Sequence, residues 1–155
     1  MKQNFISAFF LLATLLLSHA APYQLDKRTT SFGPCPVDPP VTLLTVNNIS
    51  PDPFVKGQVV AVNFTGTSPV DIHANKGINL QLTFLDSDQS PVVEPSVLDF
   101  CTITGITCPL LNGTEFSSKV AVTVPDIDNI YMVVSIVDVP NVSYIACAWN
   151  GPSSS

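Results

Sequence analysis

Apolar and polar residues alternate along short segments of the chain, and proline, glycine, aspartate and serine cluster between these segments. A period of two residues is the pattern of a β-strand with one buried and one exposed face. The turn residues between segments indicate short strands joined by tight connections. The pattern predicts strands over residues 41–49, 58–67, 78–85, 97–102, 115–124, 131–137 and 144–149. About seven strands at this spacing, without an amphipathic helix, predict an all-β fold, an immunoglobulin-like antiparallel β-sandwich.

The same alternation predicts which side chains point between the two sheets. Asn63 lies in a glycosylation sequon and must face water if it carries a glycan, so the residues on either side of it point inward. In the segment 131–137, Tyr131 and Val133 are apolar as well, so the pattern separates the two faces less clearly there. From the pattern alone, such faces are typical of a close-packed core. The predicted inward positions are Val60, Val62, Phe64, Ile78, Leu80, Leu82, Phe84, Phe116, Val120, Val122, Val124, Met132, Val134 and Ile136.

The charge composition argues against one class of partner, the nucleic acids. The chain has 6 Lys and Arg against 12 Asp and Glu, a formal net charge of −6, and only 12% charged residues. Binding a nucleic acid requires clustered basic side chains that neutralise phosphates, so no nucleic-acid partner is predicted. With 46% hydrophobic residues the chain can bury a core, and its length fits one domain.

The N-terminal residues have the pattern of a secretory signal peptide. Lys2 precedes an apolar stretch over residues 5–17, and Ser18-His19-Ala20 offers small residues for cleavage after Ala20, so residues 1–20 are the predicted signal peptide. Lys27-Arg28 is a dibasic pair of the kind that late-secretory endoproteases cut, which makes residues 21–28 a candidate propeptide and 29–155 the predicted mature domain. The predicted location is the secretory pathway. No later stretch is long and apolar enough to predict a membrane span.

An oxidising compartment changes how the four cysteines are interpreted. An even number of cysteines in a small secreted domain favours disulfides over a metal site, and four cysteines allow three pairings. Cys101 and Cys108 enclose six residues and can close a local loop, which favours this pair and leaves Cys35 to join Cys147 across the domain. A structural zinc site is the competing interpretation, but the close cysteine pairs of zinc motifs are missing from the sequence.

Four segments match the acceptor pattern for N-glycosylation. Pro51 directly follows the first of them and weakens it as an acceptor. Each match alone is weak evidence, but four of them beside a signal peptide support secretion. The candidate acceptors are Asn48, Asn63, Asn112 and Asn141.

The predicted mature domain contains little that could carry catalysis. His73 is its only imidazole, it lies in a polar stretch, and no Gly-x-Ser-x-Gly motif accompanies it. Asp126 and Asp128 lack the glycine and the distal glutamate of a helix-loop-helix calcium site and are interpreted as turn residues. No enzymatic activity, metal or cofactor is predicted.

Several segments around the cysteines form a recognisable set. The most specific of them is Gly105-Ile106-x-Cys108-Pro109-Leu110. The others are Phe100-Cys101-Thr102-Ile103-Thr104, Pro51-Asp52-Pro53, Lys56-Gly57, Gly66-Thr67, residues 131–134 and the terminal Cys147. Together they resemble the ML (MD-2-related lipid-recognition) domain, above all the fungal phosphatidylglycerol/phosphatidylinositol transfer proteins and the Niemann-Pick type C2 sterol carriers, over about residues 35–149.

This resemblance implies two sheets splayed apart around one lipid, a phospholipid or a sterol. It also implies a monomer that transfers the lipid during transient contact with the membrane surface, and an extracellular or a vacuolar, lysosome-like location. A secreted recognition module without transfer activity is the alternative. The disulfides Cys35–Cys147 and Cys101–Cys108 are implied as well, whereas the third disulfide usual in the family has no cysteine available within residues 36–44.

The resemblance turns the inward positions into candidate walls of a lipid cavity. These predicted lining residues are Val60, Val62, Phe64, Leu80, Leu82, Phe84, Phe100, Leu110, Phe116, Val120, Val122, Met132, Val134 and Ile136.

Overall fold

The computed structural model describes residues 29–151 of the chain. The predicted signal peptide and the candidate propeptide lie outside the described residues. Within them the fold is all-β, with a single short 3₁₀ turn at Phe100–Thr102. The strands are β1 (Thr42–Leu43), β2 (Thr45–Ser50), β3 (Val59–Thr67), β4 (Ile78–Leu85), β5 (Ser96–Asp99), β6 (Glu115–Thr123), β7 (Tyr131–Asp138) and β8 (Ser143–Trp149).

The strands form two sheets that face each other as a sandwich. Sheet A has five strands in the order β1-β8-β7-β4-β5, and sheet B has three in the order β2-β3-β6. Every pair is antiparallel except β1 with β8, which is parallel. The predicted β-sandwich is therefore confirmed, with one parallel pair at the edge of sheet A.

The predicted strand 41–49 is divided between the two sheets. Thr42 and Leu43 pair with β8 in sheet A, whereas the chain from Thr45 onward pairs with β3 in sheet B. Leu44 lies at the crossing point, where its side chain is buried and its backbone N–H donates to the carbonyl of Cys147 at 3.1 Å. Alternation did not predict this crossing, because one residue that passes between two sheets leaves the apolar pattern nearly continuous.

The predicted strand 97–102 is shorter in the structure. It ends at Asp99, whose carboxylate accepts a hydrogen bond from the backbone N–H of Cys101 at 2.9 Å and caps the 3₁₀ turn. A side chain that accepts a backbone hydrogen bond in this way favours a turn over a strand. Phe100 is fully buried at the start of the turn.

Alternating burial along the strands builds the core. In β4 every second side chain from Ile78 to Phe84 is buried, and β3 and β6 show the same period. The inward residues of sheet B, such as Val60, Val62 and Phe64, meet those of sheet A in one apolar cluster. All of the predicted lining residues are buried.

Two disulfides join the four cysteines in the arrangement favoured from the sequence. Cys35–Cys147 spans 112 residues and ties the N-terminal segment to β8, and Cys101–Cys108 spans 7 residues. Gly33 extends the contact with β8, because its backbone exchanges two hydrogen bonds with Trp149 at 2.8 and 3.0 Å. The longer bridge therefore anchors a segment that also pairs along the edge of sheet A.

The loop closed by Cys101–Cys108 packs against the free edge of β6. The Ser118 hydroxyl donates to the carbonyl of Thr104 at 2.8 Å, and Ile103 and Ile106 are buried beneath the loop. Gly105 has φ +92, and a Cβ there would lie 2.7 Å from the carbonyl oxygen of Ser117. The loop thus reaches β6 only because residue 105 has no side chain.

Gly105→Ala is expected to lower the free energy of unfolding by about 3 kcal/mol, since both the positive φ and the contact with Ser117 oppose a Cβ. Gly113→Ala is the matched control, because Gly113 has φ +81 but no atom within 4 Å of the added Cβ. Its cost should be only about 1 kcal/mol. Urea denaturation measures both values, and equal losses would contradict close packing of the loop on β6.

Candidate functional site

The interior between the two sheets consists almost entirely of packed apolar side chains. Phe64, Phe84 and Phe100 are among its largest fully buried side chains. Among the described residues, only Ser68, Ser118 and Ser135 are buried and polar, and no buried side-chain nitrogen or oxygen there lacks a hydrogen bond. Such an interior matches an apolar molecule in polarity and offers no charged group for proton transfer.

Aromatic rings close the core near the disulfide loop. Phe116 lies edge-on to Phe64 and to Phe100, with ring centroids at 6.4 and 5.4 Å. Its ring sits over Gly66, where an added Cβ would lie 2.7 Å from the ring. Glycine at this position lets the Phe116 ring pack directly against β3.

A second aromatic pair lies at the opposite end, where β4 ends. Phe54, from the loop between β2 and β3, lies edge-on to Phe84 with centroids 6.3 Å apart. An ion pair joins this loop to the loop after β6, because Lys56 Nζ lies 2.8 Å from a carboxylate oxygen of Asp128 and 3.9 Å from one of Asp126. The hydrogen bond to Asp128 raises the pKa of Lys56 above its usual value. Phe54 is itself partly buried and packs against this end of the core.

The two sheets are connected differently along their two sides. Leu44 alone connects β1 to β2, so those edges stay together, whereas residues 100–114 lie between β5 and β6. Leu98 on β5 pairs with Leu80 on β4, and directly opposite residues of an antiparallel pair share a face. Leu80 is fully buried, but Leu98 is 40% exposed. Sheet B therefore leaves the inner face of β5 uncovered.

The inner residues of β6 show the same trend. Phe116, Val120 and Val122 are each 7% exposed, whereas the inward residues of β3 are 0% exposed. The interior of sheet B is therefore slightly more exposed along its edge strand β6 than along its central strand β3.

The structure gathers the predicted lining residues into this one interior. Leu98 and Phe54 belong to its rim and were not predicted. Leu98 lies in a segment without alternation, and Phe54 lies in a proline-bounded loop, so neither has a periodic signal. The only feature of the sequence that indicates the contact of Phe54 with the core is that an apolar residue directly follows Pro53.

The chemistry-bearing residues lie away from this interior. His73 is exposed in a surface cleft of about 750 Å³, which also contains Asp71, Lys76 and Asp138. The carboxylates of Asp71 and Asp138 accept hydrogen bonds from nearby asparagines. In residues 29–151 no three histidine, cysteine, aspartate or glutamate side chains are grouped to hold a metal. The described part of the chain also has no helix long and apolar enough to cross a bilayer.

Comparison with known proteins identifies the family. The family model of the ML domain matches this sequence over residues 29–147. This chain belongs to the ML domain family. The match covers the sandwich from the N-terminal segment to Cys147 in β8, two residues before the last strand ends, so the ML domain and the described fold nearly coincide.

The fold is also similar to a solved structure. A Niemann-Pick type C2 protein from the Japanese carpenter ant matches with a TM-score of 0.54 and 19% identity, over 77% of this chain and 95% of that chain. No curated protein sequence matches this ML domain. Membership of the family supports lipid binding as the general function and a role other than catalysis.

Proposed function

We propose that this ML domain binds one lipid between its sheets and carries it between membranes. The observation that supports the proposal most directly is the half-exposed Leu98 beside the fully buried Leu80, because the inner face of β5 meets solvent directly next to an apolar interior. The apolar tail enters between β5 and β6, and the predicted lining residues contact it. The polar end of the lipid stays at the rim.

The energetics of lipid transfer suit a carrier without catalytic groups. A sixteen-carbon chain costs about 13 kcal/mol to expose to water, at about 0.8 kcal/mol for each CH₂. An apolar interior removes most of this cost. Because bilayer and interior are similarly apolar, moving the tail from one to the other is nearly isoenergetic. The ML domain therefore lowers the barrier to desorption without nucleotide hydrolysis.

Charge near the opening favours a sterol over phosphatidylglycerol or phosphatidylinositol as ligand. Glu94 is exposed just before β5, and Asp99 is exposed at the end of this strand. Their negative charges at this edge repel an anionic headgroup. Arg28 is the only arginine of the chain and precedes the described residues, so no guanidinium in them is available to bind a phosphate. A sterol needs only one hydrogen-bond partner for its hydroxyl group.

The proposal places the ML domain in the secretory pathway, outside the cell or in a vacuolar, lysosome-like lumen. The two disulfides support an oxidising compartment. In this proposal the carrier acts as a monomer and touches the membrane only while it loads or unloads.

We expect native mass spectrometry of the ML domain, secreted from a eukaryotic host, to find one lipid per protein. Vesicle assays with labelled sterol, phosphatidylglycerol and phosphatidylinositol then test transfer and ligand class, and sterol should move fastest. Bound lipid without transfer would support the recognition module instead. Protein that neither retains nor transfers any of the three lipids would contradict lipid carriage.

A further inference from the structure

Two of the four sequons meet on the outer face of sheet B. In the register of the strands, Asn48 on β2 lies directly opposite Asn63 on β3, and Asn63 lies opposite Lys119 on β6. Asn48 and Lys119 are exposed and Asn63 is partly exposed. Directly opposite residues on one face have Cβ atoms about 4.5–5.5 Å apart. The two acceptor asparagines are therefore neighbours in space, although they are 15 positions apart in the chain.

A β-bulge and a side-chain hydrogen bond beside the pair also hold β2 and β3 together here. A bulge lies between Val46 and Asn48, and the extra residue, Asn47, donates from its side-chain amide to the hydroxyl of Thr65 at 3.2 Å. Thr65 is the hydroxyl residue of the second sequon. The other two acceptors are separate from this row, because Asn112 follows the disulfide loop and Asn141 lies in the turn between β7 and β8.

We propose that Asn48 and Asn63 are mutually exclusive acceptors, so that the folded ML domain carries one N-glycan at this pair and carries it on Asn63. Side-chain Nδ2 forms a bond to C1 of the first sugar and loses a proton, while the bond from that C1 to the diphosphate of a lipid-linked oligosaccharide breaks. The lipid diphosphate is the leaving group. A glycan is bulky and must project into water, and two of them at one cross-strand position compete for the same space.

The choice of Asn63 follows from the two sequons themselves. Pro51 stands directly after the sequon of Asn48 and weakens it as an acceptor. Asn63 also lies on the central strand of sheet B, where a glycan extends over small neighbours such as Ala61 and Ala121. In a chain that receives both glycans before folding, the two glycans crowd each other above β2 and β3 and hinder the pairing of these strands, so such chains are depleted from the secreted protein.

Glycopeptide mass spectrometry of the secreted protein tests the proposal. Wild-type protein should carry a glycan on Asn63 and almost none on Asn48. Asn63→Gln should raise the occupancy of Asn48 several-fold, and Thr65→Ala should do the same by a second route that keeps the asparagine. Asn112→Gln is the matched control, and it should leave the occupancy of both paired sites unchanged.

Intact-protein mass of the Asn112→Gln/Asn141→Gln variant counts the glycans on this pair alone, and so distinguishes a shared site from two independent ones. A substantial fraction of secreted molecules with glycans on both Asn48 and Asn63 would overturn the proposal. Asn48 occupancy that stays the same in both Asn63→Gln and Thr65→Ala would also overturn it, because the two sites would then be independent.

Discussion

Phe84→Asp is expected to abolish lipid loading of the ML domain while the protein is still secreted. Phe84 points between the sheets from the end of β4, is 2% exposed, and pairs with Met132 on β7. If lipid occupies this space, a carboxylate beside its tail is left without a partner, which costs several kcal/mol. A loss of affinity of about a hundredfold or more follows, at 1.4 kcal/mol for each tenfold change.

Thr83→Asp is the matched control, since the neighbouring side chain points to the outer face of sheet A and is only partly buried. It introduces the same charge on the same strand and should leave loading unchanged. Native mass spectrometry reports loading, and near-ultraviolet circular dichroism reports the fold. If Phe84→Asp unfolds the protein and Thr83→Asp does not, the inner faces form a closed core, and the proposed lipid site is wrong.

Removal of the longer disulfide should produce the second large effect. Cys35–Cys147 closes a loop with a sequence separation of 112, and Cys101–Cys108 closes one with a separation of 7. In the loop-entropy model these lengths correspond to about 5 and about 2.5 kcal/mol of stabilisation. Cys35→Ala/Cys147→Ala should therefore lower the free energy of unfolding about twice as much as Cys101→Ala/Cys108→Ala.

Small domains have a total stability of only about 5–15 kcal/mol, so the first double variant is expected to approach the limit of folding at 37 °C. Chemical denaturation of both variants, with the wild type alongside, measures the difference. A larger loss from the short bridge would show that local strain or packing in the disulfide loop outweighs chain entropy.

Where the apolar pattern was periodic, the sequence predicted both the strands and the side chains that they bury. In β4, alternation from Ile78 to Leu85 predicted both the strand and its buried face, because period two is a local property of an extended backbone. The burial of Phe100 also agreed with the resemblance-based expectation, although the residue lies in a turn. The boundaries were wrong where a single side chain decided them, as with the cap formed by Asp99.

The candidate site was only partly accessible to the same reasoning. The residues proposed as its walls could be named from alternation and from the resemblance to ML domains. The proposed opening could not be predicted, because the exposure of Leu98 depends on how far sheet B extends across sheet A. That extent is set by which strand pairs with which, and the residues of β5 carry no trace of it.

The sequence by itself determined the all-β class, the inward residues of the long strands, the favoured disulfide pairing and the ML resemblance. Each of these depends on neighbouring residues or on the identity of a few motif positions. Only the tertiary structure decided that the chain crosses between sheets at Leu44, that β1 runs parallel to β8, and that Asn48 faces Asn63. The physical reason is that strand pairing and register are set by backbone hydrogen bonds between segments far apart in the chain, whose polar groups are the same at every residue.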